Sequence, residues 1–116
     1  MAIYNELPVY KSAYNLLLEL FAVAANLPKA YRYSLGERIQ NEAVEVIVNI
    51  YKANSTADKI PFITKSREHT EIIRLFIRIL HDTRQISLNR MVMLNKMIED
   101  LSRQLVGWQK YCSNNG

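Results

Sequence analysis

Residues 87–111 read SLNRMVMLNKMIEDLSRQLVGWQKY. Within this stretch Met91, Leu94, Ile98, Leu101, Leu105 and Trp108 recur at steps of three and four, which places them on one stripe of an α-helix as a near-heptad seam. Lys96, Arg103 and Lys110 repeat every seven residues away from that seam, so one face is apolar and another cationic. Ser87 stands where an N-cap hydroxyl is needed. A helix over about residues 88–111 that buries a stripe needs partner helices to cover it.

Three further stretches show the same period, and none alternates with the period of a strand. The first runs from about Pro8, suited to a first helical position, to Leu27, where Pro28 stops it. Val9, Ala13, Leu16, Leu20, Ala24 and Leu27 form its core stripe. Beside them lies a second apolar set, Tyr10, Tyr14, Leu17, Leu18, Phe21 and Ala25, and the only charges are Lys11 and Glu19. A helix apolar around most of its circumference must be covered on more than one side, whereas a four-helix monomer covers one. Tyr10, Tyr14, Leu17, Leu18 and Phe21 are therefore the expected contacts between copies of the chain.

The second helix, over about 35–53, is expected to open on a capping box, Ser34-Leu35-Gly36-Glu37. Ile39, Ala43, Val46, Ile47 and Ile50 make its buried stripe; Arg38, Glu42, Glu45, Asn49 and Lys52 its wet side; and Asn54, Ser55 and Thr56 its end. The third, over about 61–86, carries Pro61 in its first turn and closes at Ile86. Its apolar arc holds Ile72, Ile73, Phe76, Ile77, Ile79 and Leu80. Arg67, Glu71, Arg74, Arg78 and His81 share the opposite arc. Short connections make sequential neighbours antiparallel. The expected fold is all-α, an antiparallel up-down-up-down four-helix bundle spanning 1–116 as one domain, with a frayed tail at Ser113–Gly116.

Composition agrees with one core. The 116 residues include three Gly, three Pro and one Cys, and are 49% hydrophobic and 22% charged. A lone Cys112 forms neither an internal disulfide nor a cysteine-based metal site, which suits a reducing compartment. No signal-peptide pattern and no run of eighteen apolar residues is present, so a cytoplasmic protein starting at or near Met1, with no membrane partner, is expected.

Charge is divided unevenly. Residues 1–58 set Lys11, Lys29, Arg32, Arg38 and Lys52 against Glu6, Glu19, Glu37, Glu42, Glu45 and Asp58. Residues 59–116 hold ten basic side chains against Glu68, Glu71, Asp82, Glu99 and Asp100, and the net charge of +4 arises there. A concentrated positive field attracts polyanions. Glu71 can pair with Arg67 or Arg74, but Arg74 is followed four residues on by Arg78, so only Arg78, ahead of Asp82, can pair forward. Glu99 can neutralise only part of the Lys96, Arg103 and Lys110 row. Arg67, Arg74, Arg78, Lys96, Arg103 and Lys110 are thus the candidate binding residues for an RNA or DNA backbone, weakly and without sequence preference.

Catalytic chemistry finds no footing. His69 and His81, twelve residues apart, point about 120° away from each other on one helix and cannot share a ligand. Ser66 and Arg78 stand three residues before them, so no Glu-x-x-His step exists, and there is no glycine-rich phosphate loop. Of the four methionines, Met1, Met91, Met93 and Met97, Met91 belongs to the seam as a gap filler rather than a haem or soft-metal ligand. Trp108 reads as core, with Gly107 permitting close helix approach, Cys112 as an inert or partly packed thiol, and His81 as a surface imidazole beside Arg78. No enzyme activity, cofactor or metal is expected.

The runs Leu35-Gly36-Glu37-Arg38-Ile39, Ile47-Val48-Asn49-Ile50-Tyr51-Lys52-Ala53-Asn54, Ile72-Ile73-Arg74-Leu75-Phe76-Ile77-Arg78-Ile79-Leu80 and Leu105-Val106-Gly107-Trp108 resemble a four-helix-bundle superfamily. It holds the accessory variability determinants (Avd-like proteins) of diversity-generating retroelements and the proteins encoded in intervening sequences of 23S ribosomal RNA genes. Leu7-Pro8-Val9-Tyr10 and the Arg74 and Arg78 pair are more similar to the retroelement branch. That resemblance implies a homopentameric barrel with a basic surface. Such a barrel binds the reverse transcriptase and nucleic acid, and supports mutagenic cDNA synthesis without catalysing it. It makes Arg74 and Arg78 partner-binding residues. The chain lacks a strongly basic C-terminal tail, so the enzyme is the firmer expected contact. The ribosomal-gene branch implies instead a structural or interaction role with no nucleic-acid function.

Overall fold

The computed structural model describes residues 3–115; the expected start at Met1 and the last tail residue, Gly116, lie outside them. Among the described residues all regular structure is helical: α1 (Pro8–Ala25), α2 (Glu37–Asn54), α3 (Ile60–Asp82) and α4 (Leu88–Asn115), with a short turn of 3-10 helix at Tyr4–Glu6. The bundle measures 46 × 22 × 21 Å, two helices across in each short direction. α1 packs on α2 and α4, and α3 packs on α2 and α4, so the helices form a ring in chain order. The up-down-up-down reading holds.

The stripes read from the sequence line the core. In α1 Val9, Ala13, Leu16, Leu20 and Ala24 are all buried, joined by Val23 and, just beyond the helix, Leu27. Leu94, Ile98, Leu101 and Leu105 of α4 are fully enclosed, with Met91 and Trp108 half-buried at the ends of the seam. Ser87 caps α4 by accepting from the Arg90 backbone N–H at 3.1 Å. Pro61 sits in the first turn of α3, and Ser55 ends α2.

Five local readings are corrected. The Ser34 capping box does not form. Its hydroxyl donates instead to the carbonyls of Ala30 (2.9 Å) and Tyr31 (3.3 Å), inside a π-helical turn, Arg32–Gly36, that runs into α2 from a helical turn at Lys29–Tyr31. α1 ends at Ala25 rather than Leu27, where Arg32 reaches back to the Ala25 and Leu27 carbonyls and satisfies groups the helix leaves open. α3 ends at Asp82, four residues before Ile86. Arg84 takes a left-handed conformation (φ 65°), the Arg84 N–H donates to His81 and the Gln85 N–H to Leu80, forming a Schellman turn with Arg where Gly is usual. Asn49, expected on the wet side, is only 3% exposed, and its amide donates to the Glu45 carbonyl at 2.8 Å. The tail expected to fray is helical over its described residues, α4 continuing through Asn115.

Gly107 is the clearest misreading. A Cβ built there meets nothing within 4 Å, so the glycine permits no close approach and only weakens an exposed turn of α4. Gly107→Ala is expected to stabilise the fold by about 0.5–1 kcal/mol, read as a higher urea midpoint at unchanged slope.

Candidate functional site

Two surfaces of opposite character lie on opposite sides of the ring. On α1, Glu19 pairs with Arg90 of α4 at 3.0 Å and Ser12 accepts from Gln104 of α4 at 2.8 Å, which fixes the polar flank of α1 toward α4. The second apolar set consequently falls on the flank toward α2. Tyr14 (43% exposed), Leu18 (50%) and Phe21 (37%) stand open to solvent there, while Tyr10 and Leu17 are half-buried. The surface continues across α2 through Val44 and Tyr51, both exposed. Rings join the two helices: Tyr4 meets Tyr51 edge-on at 5.0 Å and Tyr10 edge-on at 5.2 Å, and Tyr10 stacks on Tyr14 at 6.0 Å. The five expected contact residues therefore share one face. Tyr4, Val44 and Tyr51 were missed, although the seven-residue step from Val44 to Tyr51 was readable as a second apolar line beside the α2 stripe.

The charged surface spans α3 and α4. All six candidate cations lie on it, but their freedom differs. Arg67 donates across to Gln109 Oε1 of α4 at 2.6 Å, and Gln109 in turn donates to Thr64 at 3.3 Å. Arg74, expected to lack a forward partner, is held by Glu71 at 3.1 Å and by Glu99 of α4 at 3.2 Å. Burial works against the Arg74 charge, yet the bond to Glu71 and the nearby charges of Glu71 and Glu99 outweigh it and raise its pKa. Glu99 thus serves Arg74 rather than the α4 row. Arg78 pairs with Asp82 at 3.0 Å, as the spacing allowed, and Arg103 pairs with Asp100. Lys96 and Lys110 are exposed and have no ion-pair partner among the described residues.

The Asp82 carboxyl sits below the usual range because Arg78 donates to it, with His81 adding a weaker contact at 3.3 Å. A depressed carboxyl contributes stability above its unfolded pKa, and that contribution is lost as pH falls through the folded value. His81 is the partly exposed imidazole expected, reached through Asp82. His69 is different: its Nδ1 lies 2.5 Å from Glu42 Oε2, joining α3 to α2. Cys112 is half-buried beside the core. Among the described residues no three His, Cys, Asp or Glu side chains gather as a metal site, and no helix is long and apolar enough to cross a membrane.

Arg74→Glu would set three carboxylates side by side, with Glu71 and Glu99, and is expected to weaken the α3–α4 contact. Arg78 is mostly exposed, and its reversal leaves the core untouched. Comparison with known proteins adds one result: the model of a family described as bAvd-like matches residues 9–112. No curated protein matches the chain.

Proposed function

The chain belongs to the bAvd-like family, and from that premise we propose that it is a non-catalytic accessory protein of a diversity-generating retroelement. Copies assemble through the α1/α2 face, as a pentamer if the resemblance extends to subunit number. The α3/α4 faces then point outward and hold the reverse transcriptase and the backbone of RNA or DNA. The observation that carries this reading is the placement of the apolar and cationic surfaces on opposite sides of one bundle. Covering the first leaves the second free in every subunit.

Multiplicity compensates for a modest charge. Among the described residues Arg67, Lys96 and Lys110 form no ion pair, and each copy adds its net +4. A ring of such faces binds a long polyanion through several weak sites at once. Each neutralised phosphate adds about 0.9 to the salt slope on duplex DNA and about 0.7 on single strands. With no base-reading element, the contact is to backbone.

A reverse transcriptase gene is expected beside the gene for this chain, and its product, co-expressed with the chain, is expected to co-purify at a fixed ratio. A labelled 30-nucleotide single strand is expected to bind with an affinity that falls steeply with salt and weakens when Arg67, Arg103 and Lys110 are changed to Glu. Absence of the enzyme from the purified wild-type protein, together with a flat salt dependence, would overturn the assignment.

A further inference from the structure

The connection from α1 to α2, residues 26–36, and the turn from α3 to α4, residues 83–87, meet at one end of the antiparallel bundle. A cleft of about 230 Å³ lies between them, walled by Asn26 and Leu27 on one side and by Gln85, Ile86 and Ser87 on the other. Residues 26–38 and 78–90 set Lys29, Arg32, Arg38, Arg78, Arg84 and Arg90 against Glu37 and Asp82, a surplus equal to the net +4 of the whole chain, so the remaining residues balance. Asp82 takes Arg78, and Glu19 takes Arg90. Lys29, Arg32, Arg38 and Arg84 are exposed and form no ion pair among the described residues; Glu37 is the one carboxylate in these two segments that is also unpaired. Arg32 is bonded to carbonyls and Arg38 lies over the Phe76 ring at 5.1 Å, contacts that leave both charges in place.

Two side chains here do nothing for the fold. Arg84 holds the left-handed conformation (φ 65°) that glycine takes without strain, yet its guanidinium makes no hydrogen bond or ion pair among the described residues. Tyr33, on the π-helical turn Arg32–Gly36, is 62% exposed and meets no other ring, unlike Tyr4, Tyr10, Tyr14 and Tyr51.

We infer that this end of the bundle binds a single-stranded nucleic acid, with a base stacked on the Tyr33 ring and phosphates held by Lys29 and Arg32 on one side of the cleft and Arg84 on the other. A strand with unpaired bases uses both features, because any base has a face to stack and each phosphate answers a cation. A duplex keeps its bases stacked inside and can engage the cations alone. An acidic peptide likewise answers the charge and leaves the ring idle. The site is separate from Arg67, Arg103 and Lys110, which lie toward the opposite end of α3 and α4. It deepens the reading above by naming the kind of strand bound, and rests on that reading for one feature only: in a ring closed by side-by-side packing, every copy turns this end to the same rim.

The test uses the whole protein and three probes: the labelled 30-nucleotide single strand, the same strand annealed to its complement, and polyglutamate as a competitor. Tyr33→Ala, at an exposed site, is expected to leave the melting temperature unchanged, to weaken single-strand binding about fivefold or more, and to leave duplex binding as it was, with Tyr33→Phe restoring the loss. Arg84→Gly removes strain and charge together. Its melting temperature is expected to hold or rise while single-strand binding weakens and the salt slope becomes shallower by about 0.7. Single-strand binding indifferent to Tyr33→Ala, an equal loss on the duplex, or an unchanged salt slope in Arg84→Gly would overturn the site. Displacement of the strand by polyglutamate at equal charge would also overturn it and give this end to an acidic protein. The reverse transcriptase takes no part in the assay, so its failure to co-purify would overturn the reading above and leave the site standing.

Discussion

With Leu18→Glu and Phe21→Glu together, the protein is expected to sediment as a 13.5 kDa monomer at micromolar concentrations where the unaltered chain sediments at a multiple of that mass. Both side chains are exposed in the single bundle, so the change costs the monomer little. At an interface between copies it places two carboxylates against the charge-poor surface formed by Tyr10, Tyr14 and the α2 residues Val44 and Tyr51. Burying an unpaired charge there costs several kcal/mol at each contact, more than a standard interface has to spare. Binding of the nucleic-acid strand should weaken in parallel, since separated subunits lose the gain from several sites acting at once. A double variant with unchanged mass would move the interface elsewhere.

Ile77→Ala is expected to lower unfolding free energy by about 2–5 kcal/mol, a large share of the roughly 5–15 kcal/mol typical of a domain. Ile77 is fully enclosed by the bundle, so its truncation leaves a cavity that the flanking helices fill only in part. Leu75, two residues earlier on the same helix, is mostly exposed, and Leu75→Ser is expected to stay within about 0.5 kcal/mol. Urea unfolding at one protomer concentration measures both, the fixed concentration being necessary where folding and assembly are linked. Similar losses at the two positions would show that α3 is rotated from the register described.

Much of the bundle was legible because helical burial is periodic. Leu94, Ile98, Leu101 and Leu105 announce their stripe by spacing alone, and Ser87 its cap by chemistry. Where a local signal competed with a neighbour, it failed. Ser34 has the right residue for an N-cap, but the chain was already helical from Lys29, and its hydroxyl turned back to the Ala30 carbonyl. Asn49 looked wet beside Glu45 and Lys52, yet its turn of α2 is covered by another helix, and a bond to its own helix carbonyl lets it be buried. Gly107 looked like a contact because Trp108 follows it, but adjacent helical positions face about a hundred degrees apart, and a Cβ placed on Gly107 meets nothing within 4 Å.

The sequence by itself determined four amphipathic helices, their inner stripes, the surplus apolar line on α1 and the positive balance of the second half. All of these depend on a residue's neighbours along one helix, at a fixed 3.6 residues per turn. Tertiary structure alone decided that the α1 line merges with Tyr4, Val44 and Tyr51, that Glu99 neutralises Arg74, and that the Asn95 amide oxygen is buried without a donor. Those relations depend on the rotation and axial register of one helix against another, which side chains from distant parts of the chain settle only when they pack.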